Sequence, residues 1–413
     1  MPRSWKETTL GKVLAPKGYI RGPFGSALRR NELLDAGIPV YEQQHAIYGI
    51  RDFRFFISGE KYKEMQRFGT KPNDLIISCS GTLGKVSIIK EDDPNGIISQ
   101  AILLLRVNTD LILPQYLQYF FSSKEGYNAI LARSNGSVQV NISKRADIEK
   151  IPLMLPSIDE QKEIVETLGV LDAKIANNSK INHHLEQIGR AIFNSWFVDF
   201  EPWDGEQPSD WLEKSLEEFI NFQEGPGIRN WQYVPQNGTK FINIRCIQDG
   251  DLRLDTANMI ASEEAGGKYS HFMLNEWDVV VSTSGTLGRN AVVRKEHLPL
   301  CLNTSVIRFA PKQSFSHFSY MLGYLTSHEF YDHLQTKASG SVQVNFGPMH
   351  LRQITMLVPS DIVLEKYHHL VFPLIQKVIE NRRESEKLAE LRNSLMPYLM
   401  SGEISVTDIG EAK

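Results

Sequence analysis

The feature that most limits what this chain can fold into is that it is written twice. Asp74–Ser87 reads DLIISCSGTLGKVS, and Asp278–Ala291 reads DVVVSTSGTLGRNA. Asn135–Asn141 reads NGSVQVN, and Ser339–Asn345 reads SGSVQVN. Both matches keep one offset: Ser80 and Ser284 are 204 residues apart, as are Gln139 and Gln343. Tyr116 and Tyr127 fall opposite Tyr320 and Tyr331 at the same spacing. The LPS of Leu155–Ser157 meets the VPS of Val358–Ser360 with a slip of about one residue. A period this long exceeds any solenoid unit. The chain is therefore a tandem duplication of a whole domain and the segment that follows it, and its 413 residues suit two or three domains. The plain alternative is a duplicated fold without functional meaning.

Within each unit the first part reads as mixed helix and strand. Ile38–Tyr41, Asp74–Ser78, Lys85–Ile89 and Ala101–Val107 are apolar or alternating runs bounded by Gly, Pro and Asn, which predicts strands. Leu113–Ser122 carries Tyr116, Leu117, Phe120 and Phe121 at helical spacing, and its counterpart is His317–Thr326.

After Pro156 the texture changes to a heptad seam: Ile164, Leu168, Leu171, Ile175, Asn178, Asn182, Leu185, Ile192 and Trp196, with Gly189 in a seam position. The second copy repeats it through Tyr367, Val371, Leu374, Val378, Asn381, Ser385, Leu388, Leu395 and Leu399. Proline is costly inside a helix but suits its first turn. Pro373 therefore predicts a short helix, a bend, and then a long helix, the long ones starting near Val170 and Pro373. Each long helix would run about 27 residues, or roughly 40 Å. The polar seam positions Asn178 and Asn381, and Asn182 and Ser385, match at 203 residues. A polar seam pair fixes register at a cost in stability. The duplicated seams are self-complementary, which predicts an intramolecular antiparallel coiled coil; the alternative packs each helix on its own domain. The predicted fold class is α+β, with two tandem mixed α/β domains separated by long paired helices. The domains would be 1–157 and 201–360, the helical spacers 158–200 and 361–406, and the tail 407–413.

Composition narrows the function. Apolar residues make 41% and charged residues 23% of the chain, as in an ordinary soluble globular protein. Met1–Leu10 is polar and lacks the apolar core of a signal peptide. No stretch nears the roughly 18 uninterrupted apolar residues of a membrane span. Cys79, Cys246 and Cys301 are scattered, neither a disulfide framework nor a zinc pattern, so a reduced cytoplasm is expected. The formal net charge of −4 argues against a bulk polyanion binder. It leaves room for a DNA reader, which needs only a local basic face.

Catalytic chemistry is sought and not found. A DNA-adenine methyltransferase needs a glycine-rich cofactor loop and an Asn/Asp-Pro-Pro-aromatic motif, and the chain contains no Pro-Pro dipeptide. Gly81–Lys85 is like a phosphate loop, yet Cys79 and Val86 stand where that loop needs Gly and Ser/Thr, and the other copy has Arg289–Asn290. The ExK of Glu160–Lys162 has no preceding acidic partner and reads as a solvated helix face. His183–His184 and His368–His369 are adjacent pairs whose side chains diverge on a helix, so they do not readily share a metal. The reading is of no catalytic residues and no metal site.

A domain ending in an LPS-like turn, then IDEQKEIVETLGVLDAKI and IFNSWFVDFEP (Ile192–Pro202), resembles the central region of type I restriction–modification specificity subunits. SLMPYLMSGEISV (Ser394–Val406) resembles their distal region, and GPFGS (Gly22–Ser26) with SGTLGK resembles their target-recognition domains. The likeness covers essentially the whole chain. The second domain departs from it at Gly225–Arg229, where GPGIR replaces GPFGS. The resemblance implies that each domain reads one half of a bipartite double-stranded DNA target while the coiled coil acts as a ruler. A spacing near 40 Å matches about one turn of B-DNA. It further implies two methyltransferase subunits that hold S-adenosylmethionine and flip an adenine in each half-site, and an endonuclease/translocase subunit for restriction. The competing class is a tandem protein-interaction scaffold without sequence-specific DNA readout.

DNA contacts need Lys or Arg on exposed loops for phosphates, and Arg, Lys, Asn or Gln for base edges. Lys85 and Arg289 match after a glycine turn, within strings that also hold Ser80, Thr82, Ser284 and Thr286. A tight hairpin with a solvated cation is the alternative. Gln43, Gln44 and His45 follow a predicted strand, as do Arg245 and Gln248 in the other copy. Such non-identical loop residues are where two different half-sites would be specified. Ser137–Gln139 and Ser341–Gln343 are identical and read as structural. Trp196, Phe197 and Phe200 form either a subunit-docking patch or a cover for the end of the helix pair.

Overall fold

The computed structural model describes residues 5–135, 141–142, 144–285, 287–337 and 346–406. The chain divides into two compact units, one made of Met1–Asn177 with Glu384–Lys413 and the other of Asn178–Arg383. Each unit holds one recognition domain together with parts of both long helices.

The main sheet of the first unit runs in the order Leu14–Arg21, Ile102–Val107, Leu75–Ser78, Val86–Ile88, all antiparallel. That of the second runs Ile220–Glu224, Val306–Pro311, Val279–Ser282, Asn290–Val292. The registers of the three strands beyond each edge strand agree residue for residue, while Leu14–Arg21 carries a register shift that Ile220–Glu224 lacks. Ile77 lies opposite Val86 and Leu103, and Val281 lies opposite Asn290 and Ile307. The LIIS and VVVS strands are buried throughout, which is why they read as continuous apolar runs instead of alternating ones. A smaller sheet in each unit contains one parallel pair, Val40 with Ile97 and Phe241 with Cys301. A two-stranded pairing, Lys6–Thr9 with Pro152–Leu155 and Leu212–Ser215 with Thr355–Val358, closes each domain just before its long helix.

The long helices are each continuous, Ile158–Phe197 with 40 residues and Asp361–Ser401 with 41, or about 60 Å long. The expected division into a short and a long helix near Val170 and Pro373 is absent. Pro373 and the residue four before it, His369, are both exposed, as are Pro397 and Asn393. The carbonyls that lose their amide donors therefore face water and can be hydrated. Buried Leu364, Tyr367 and Val371, all in the second unit's core, anchor the helix in the turns that lead up to the proline.

The antiparallel pairing of the two helices is present in each unit. In the first, Arg392 Nη1 meets Asp172 Oδ1 at 2.5 Å and Lys174 meets Glu384 at 3.2 Å. In the second, Asn381 Nδ2 donates to Asn182 Oδ1 at 2.8 Å, Asn182 Nδ2 to the Val378 carbonyl at 3.2 Å, and Asn178 Nδ2 to the Asn381 carbonyl at 3.4 Å. Arg382 reaches Glu186 at 2.9 Å and the Gly250 carbonyl at 2.7 Å.

The helix ends belong to the domain cores. Ile164, Leu168, Met396, Leu399 and Met400 lie in the first unit's core with Leu10, Leu75 and Leu103. Phe193 and Phe197 lie in the second unit's core, with Trp196 and Phe200 packed against it. The Phe197 ring stands 4.7 Å from Tyr320 and 4.8 Å from Tyr367, and Phe200 packs edge-on to Trp211 at 5.8 Å. Of the two readings of Trp196, Phe197 and Phe200, burial favours the cover. Phe197 in particular has no free face to offer a partner, because rings from three other segments enclose it.

Candidate nucleic-acid interface

The strand Leu75–Ser78 ends in a tight turn. Gly81 and Gly84 take positive φ of 66° and 77°, which favours glycine there. The Gly84 amide donates to the Ser78 carbonyl at 2.9 Å and the Lys85 amide to Ser78 Oγ at 3.0 Å. The second unit builds the same turn, with Gly285 and Gly288 at φ 72° and 76° and the Ser282 amide donating to the Arg289 carbonyl at 2.8 Å. Lys85 and Arg289 leave these turns exposed to solvent. Lys85 Nζ sits 5.0 Å from the centre of the Tyr127 ring, a cation–π contact that keeps the charge at the surface.

Other loops close on each turn. In the first unit the Ser80 amide donates to Gln43 Oε1 at 3.2 Å, which brings together two of the residues that the sequence singles out. Thr82 is exposed beside them. Gln44 is held by a bond from its Nε2 to the Asp52 carbonyl at 3.2 Å. His45 has no exposed surface. Its Nδ1 accepts from the Glu42 amide at 2.7 Å, its Nε2 faces the Asp52 carbonyl at 2.9 Å, and its ring stacks on Phe53 at 4.6 Å. Burial lowers its pKa. The expectation that His45 faces DNA gives way to a structural role, because both ring nitrogens and the ring face are already occupied.

In the second unit Arg245 and Gln248 are exposed on one short loop, pinned by Gln248 Nε2 donating to the Arg245 carbonyl at 2.7 Å. This loop lies against the turn, since a Cβ on Gly285 would meet Ile244 Cδ1 at 3.4 Å. Ser284 is half-buried in that turn, and Thr286 lies outside the described residues. Ser137–Gln139 and Ser341–Gln343 also lie outside them.

Sequence reasoning missed four further residues. Phe24 is 59% exposed and Trp231 is 81% exposed, each within a few residues after the Gly-Pro of its unit. Arg21 and Glu224 stand immediately before the Gly-Pro of GPFGS and GPGIR. The signal was the exchange of charge at one repeat position. Cys79, Cys246 and Cys301 are buried free thiols, and burial pushes Cys79 up to about 12 and Cys301 to about 11, so neither is a poised nucleophile. No helix among the described residues is long and apolar enough to cross a membrane.

The model of the type I restriction modification DNA specificity domain matches twice, over residues 25–187 and 208–362. The chain belongs to this family. It is a DNA specificity chain with two copies of the specificity domain, which is the reading that the repeated strings imply. Its similar proteins are named as specificity subunits, which are not the catalytic components of their systems. One is the MjaIX specificity subunit of Methanocaldococcus jannaschii, 23% identical, covering 81% of this chain and 78% of that protein. Another is the MjaVIII specificity subunit of the same organism, 22% identical, covering 99% and 95%. The crystal structure of a type I restriction–modification S subunit from M. genitalium has the same fold, with a TM-score of 0.55, 16% identity and 96% of each chain covered.

Proposed function

We propose that this specificity chain reads a two-part DNA target, one half through each recognition domain, and directs N6-adenine methylation by partner methyltransferase subunits. Two such subunits carry S-adenosylmethionine, and an endonuclease/translocase subunit joins them for restriction, in the cytoplasm. What carries this reading is the duplication of the loop cluster. The same sheet register presents the same turn, with Lys85 in one copy and Arg289 in the other, while the neighbouring segments differ, half-buried Gln43 and Gln44 at the start of a short helix against exposed Arg245 and Gln248. Identical frames with different loop side chains are what two unlike half-sites require. The paired helices that join the domains set the gap between the halves.

The test is to co-express the chain with its methyltransferase subunit in a methylation-free host and map N6-methyladenine across the genome. The reading requires one bipartite motif with a fixed gap that vanishes when this chain is omitted. A continuous motif, or the same motif without the chain, overturns it in favour of a scaffold.

A further inference from the structure

One repeat position carries opposite charges in the two recognition domains. Arg21 ends the strand Leu14–Arg21 opposite Leu103, and Glu224 ends the strand Ile220–Glu224 opposite Ile307. Leu103 and Ile307 are themselves register equivalents, facing Ile77 and Val281 of the central strands. The glycine that follows is pinned in the same way in both. A Cβ on Gly22 would lie 1.9 Å from the Ser99 carbonyl oxygen, and one on Gly225 would lie 2.5 Å from the Asn303 carbonyl carbon. Arg21 and Glu224 thus leave matching backbone points at the edge of the loop cluster.

Neither charge is well compensated. Arg21 is half-buried, and among the described residues its Nη1, shielded from water, has no hydrogen-bond partner; its guanidinium lies 5.7 Å from the centre of the Phe24 ring. Glu224 is also half-buried, and among the described residues it accepts one long bond, from Thr304 Oγ1 at 3.5 Å. Withholding partners from charged groups that are partly out of water is unfavourable, and a ligand that supplies them recovers that energy. The shared ligand is not the phosphate backbone, because a carboxylate repels it. Base edges suit both, since guanine offers two acceptors to an arginine and cytosine offers an amino donor to a glutamate.

We propose that Arg21 and Glu224 are the equivalent base-reading positions of the two domains, Arg21 donating to a guanine and Glu224 accepting from the exocyclic amine of a cytosine. This rests on the function proposed above. The experiment compares the wild-type complex with Arg21→Gln and Glu224→Gln by methylation mapping, and by binding of the purified complexes to DNA with single-base changes. Arg21→Gln is expected to lose roughly 5- to 150-fold discrimination at one guanine of one half-site and leave the other half intact. Glu224→Gln, nearly the same shape, is expected to shift one position of the other half from cytosine toward adenine, the base an amide reads. If Arg21→Gln unfolds the chain, Glu224→Gln decides the matter. An unchanged motif in Glu224→Gln, or an equal loss on every sequence with Arg21→Gln (the mark of a phosphate contact), overturns the assignment while the bipartite reading stands. A wild-type complex without a bipartite motif overturns both.

Discussion

Replacing Asn182 by leucine should destabilise the second unit, and replacing Asn381 at the same time should undo the damage. Asn182 and Asn381 are 8% and 3% exposed. Asn182→Leu removes the acceptor of the 2.8 Å bond from Asn381 Nδ2 and the donor of the 3.2 Å bond to Val378. The Val378 carbonyl lies within a helix and keeps its place in the helical ladder, so the main loss is the buried Asn381 amide. An unmade buried hydrogen-bonding group costs about 1–3 kcal/mol. Burying the leucine returns part of that, because an apolar side chain contributes roughly 1.5–3 kcal/mol on leaving water. Leucine is also longer in a closely packed seam, where overpacking costs about 1–3 kcal/mol. The expected net loss is about 1–2 kcal/mol. Asn182→Leu with Asn381→Leu removes both members of the 2.8 Å pair, and stability should return toward the wild-type level.

A double-mutant cycle by urea denaturation measures the coupling, which should be favourable by at least about 1 kcal/mol. Register should suffer where stability does not, because the polar pair is what penalises a slipped seam. The methylation motif of the double variant should therefore show more than one gap length. A neutral single variant, or a double variant that loses the sum of the two singles, refutes the reasoning.

Three other outcomes follow from the structure. Burial pushes the Glu296 carboxyl up, but Arg383 at 2.9 Å and Arg294 at 2.8 Å outweigh it and hold its pKa at about 2. A depressed carboxyl stabilises the fold above its unfolded value, near 4.5, and loses that contribution as pH falls toward 2. Glu296→Gln should therefore flatten the loss of stability between those values, seen in denaturation midpoints across acid pH; parallel wild-type and variant curves would contradict it. Gly84→Ala should cost more than the about 1–2 kcal/mol of a left-handed residue alone, because its Cβ also meets Tyr127 and Ile130 at 3.3 Å, whereas Gly81→Ala meets nothing within 4 Å. Thermal melts of the two variants should rank in that order. Lys85→Ala and Arg289→Ala should each lower the slope of log affinity against log salt by about one in the assembled complex, with the motif unchanged; a changed motif would make them base readers.

The duplication, the strands and the seams were legible in the chain because they are written in short-range pattern. The run LIIS is apolar up to its final serine, and the heptad spacing survives in both copies, so local chemistry alone assigns their elements. The turn at Gly81–Lys85 was legible too, since its two glycines are where positive φ falls. The family was legible for a similar reason, as its strings keep their spacing from one copy to the next.

The tertiary structure decided which side chains are spent. His45, on a short helix with Gln43 and Gln44, reads as a DNA contact until Asp52 and Phe53 are seen to enclose it. Trp196, Phe197 and Phe200 form an aromatic run on a helix end, and only the approach of Tyr320, Tyr367 and Trp211 turns them into core. Pro373 carries a local instruction to break the helix, which the packing of Tyr367 and Val371 overrides. Arg21 and Glu224 become comparable only through strand register. The sequence by itself determined the repeated plan, the central strands, the heptad seams and the family. Which residues face solvent, which are buried and which hold an unpaired charge depended on neighbours far along the chain. Burial and pairing are properties of those contacts, and a local pattern does not contain them.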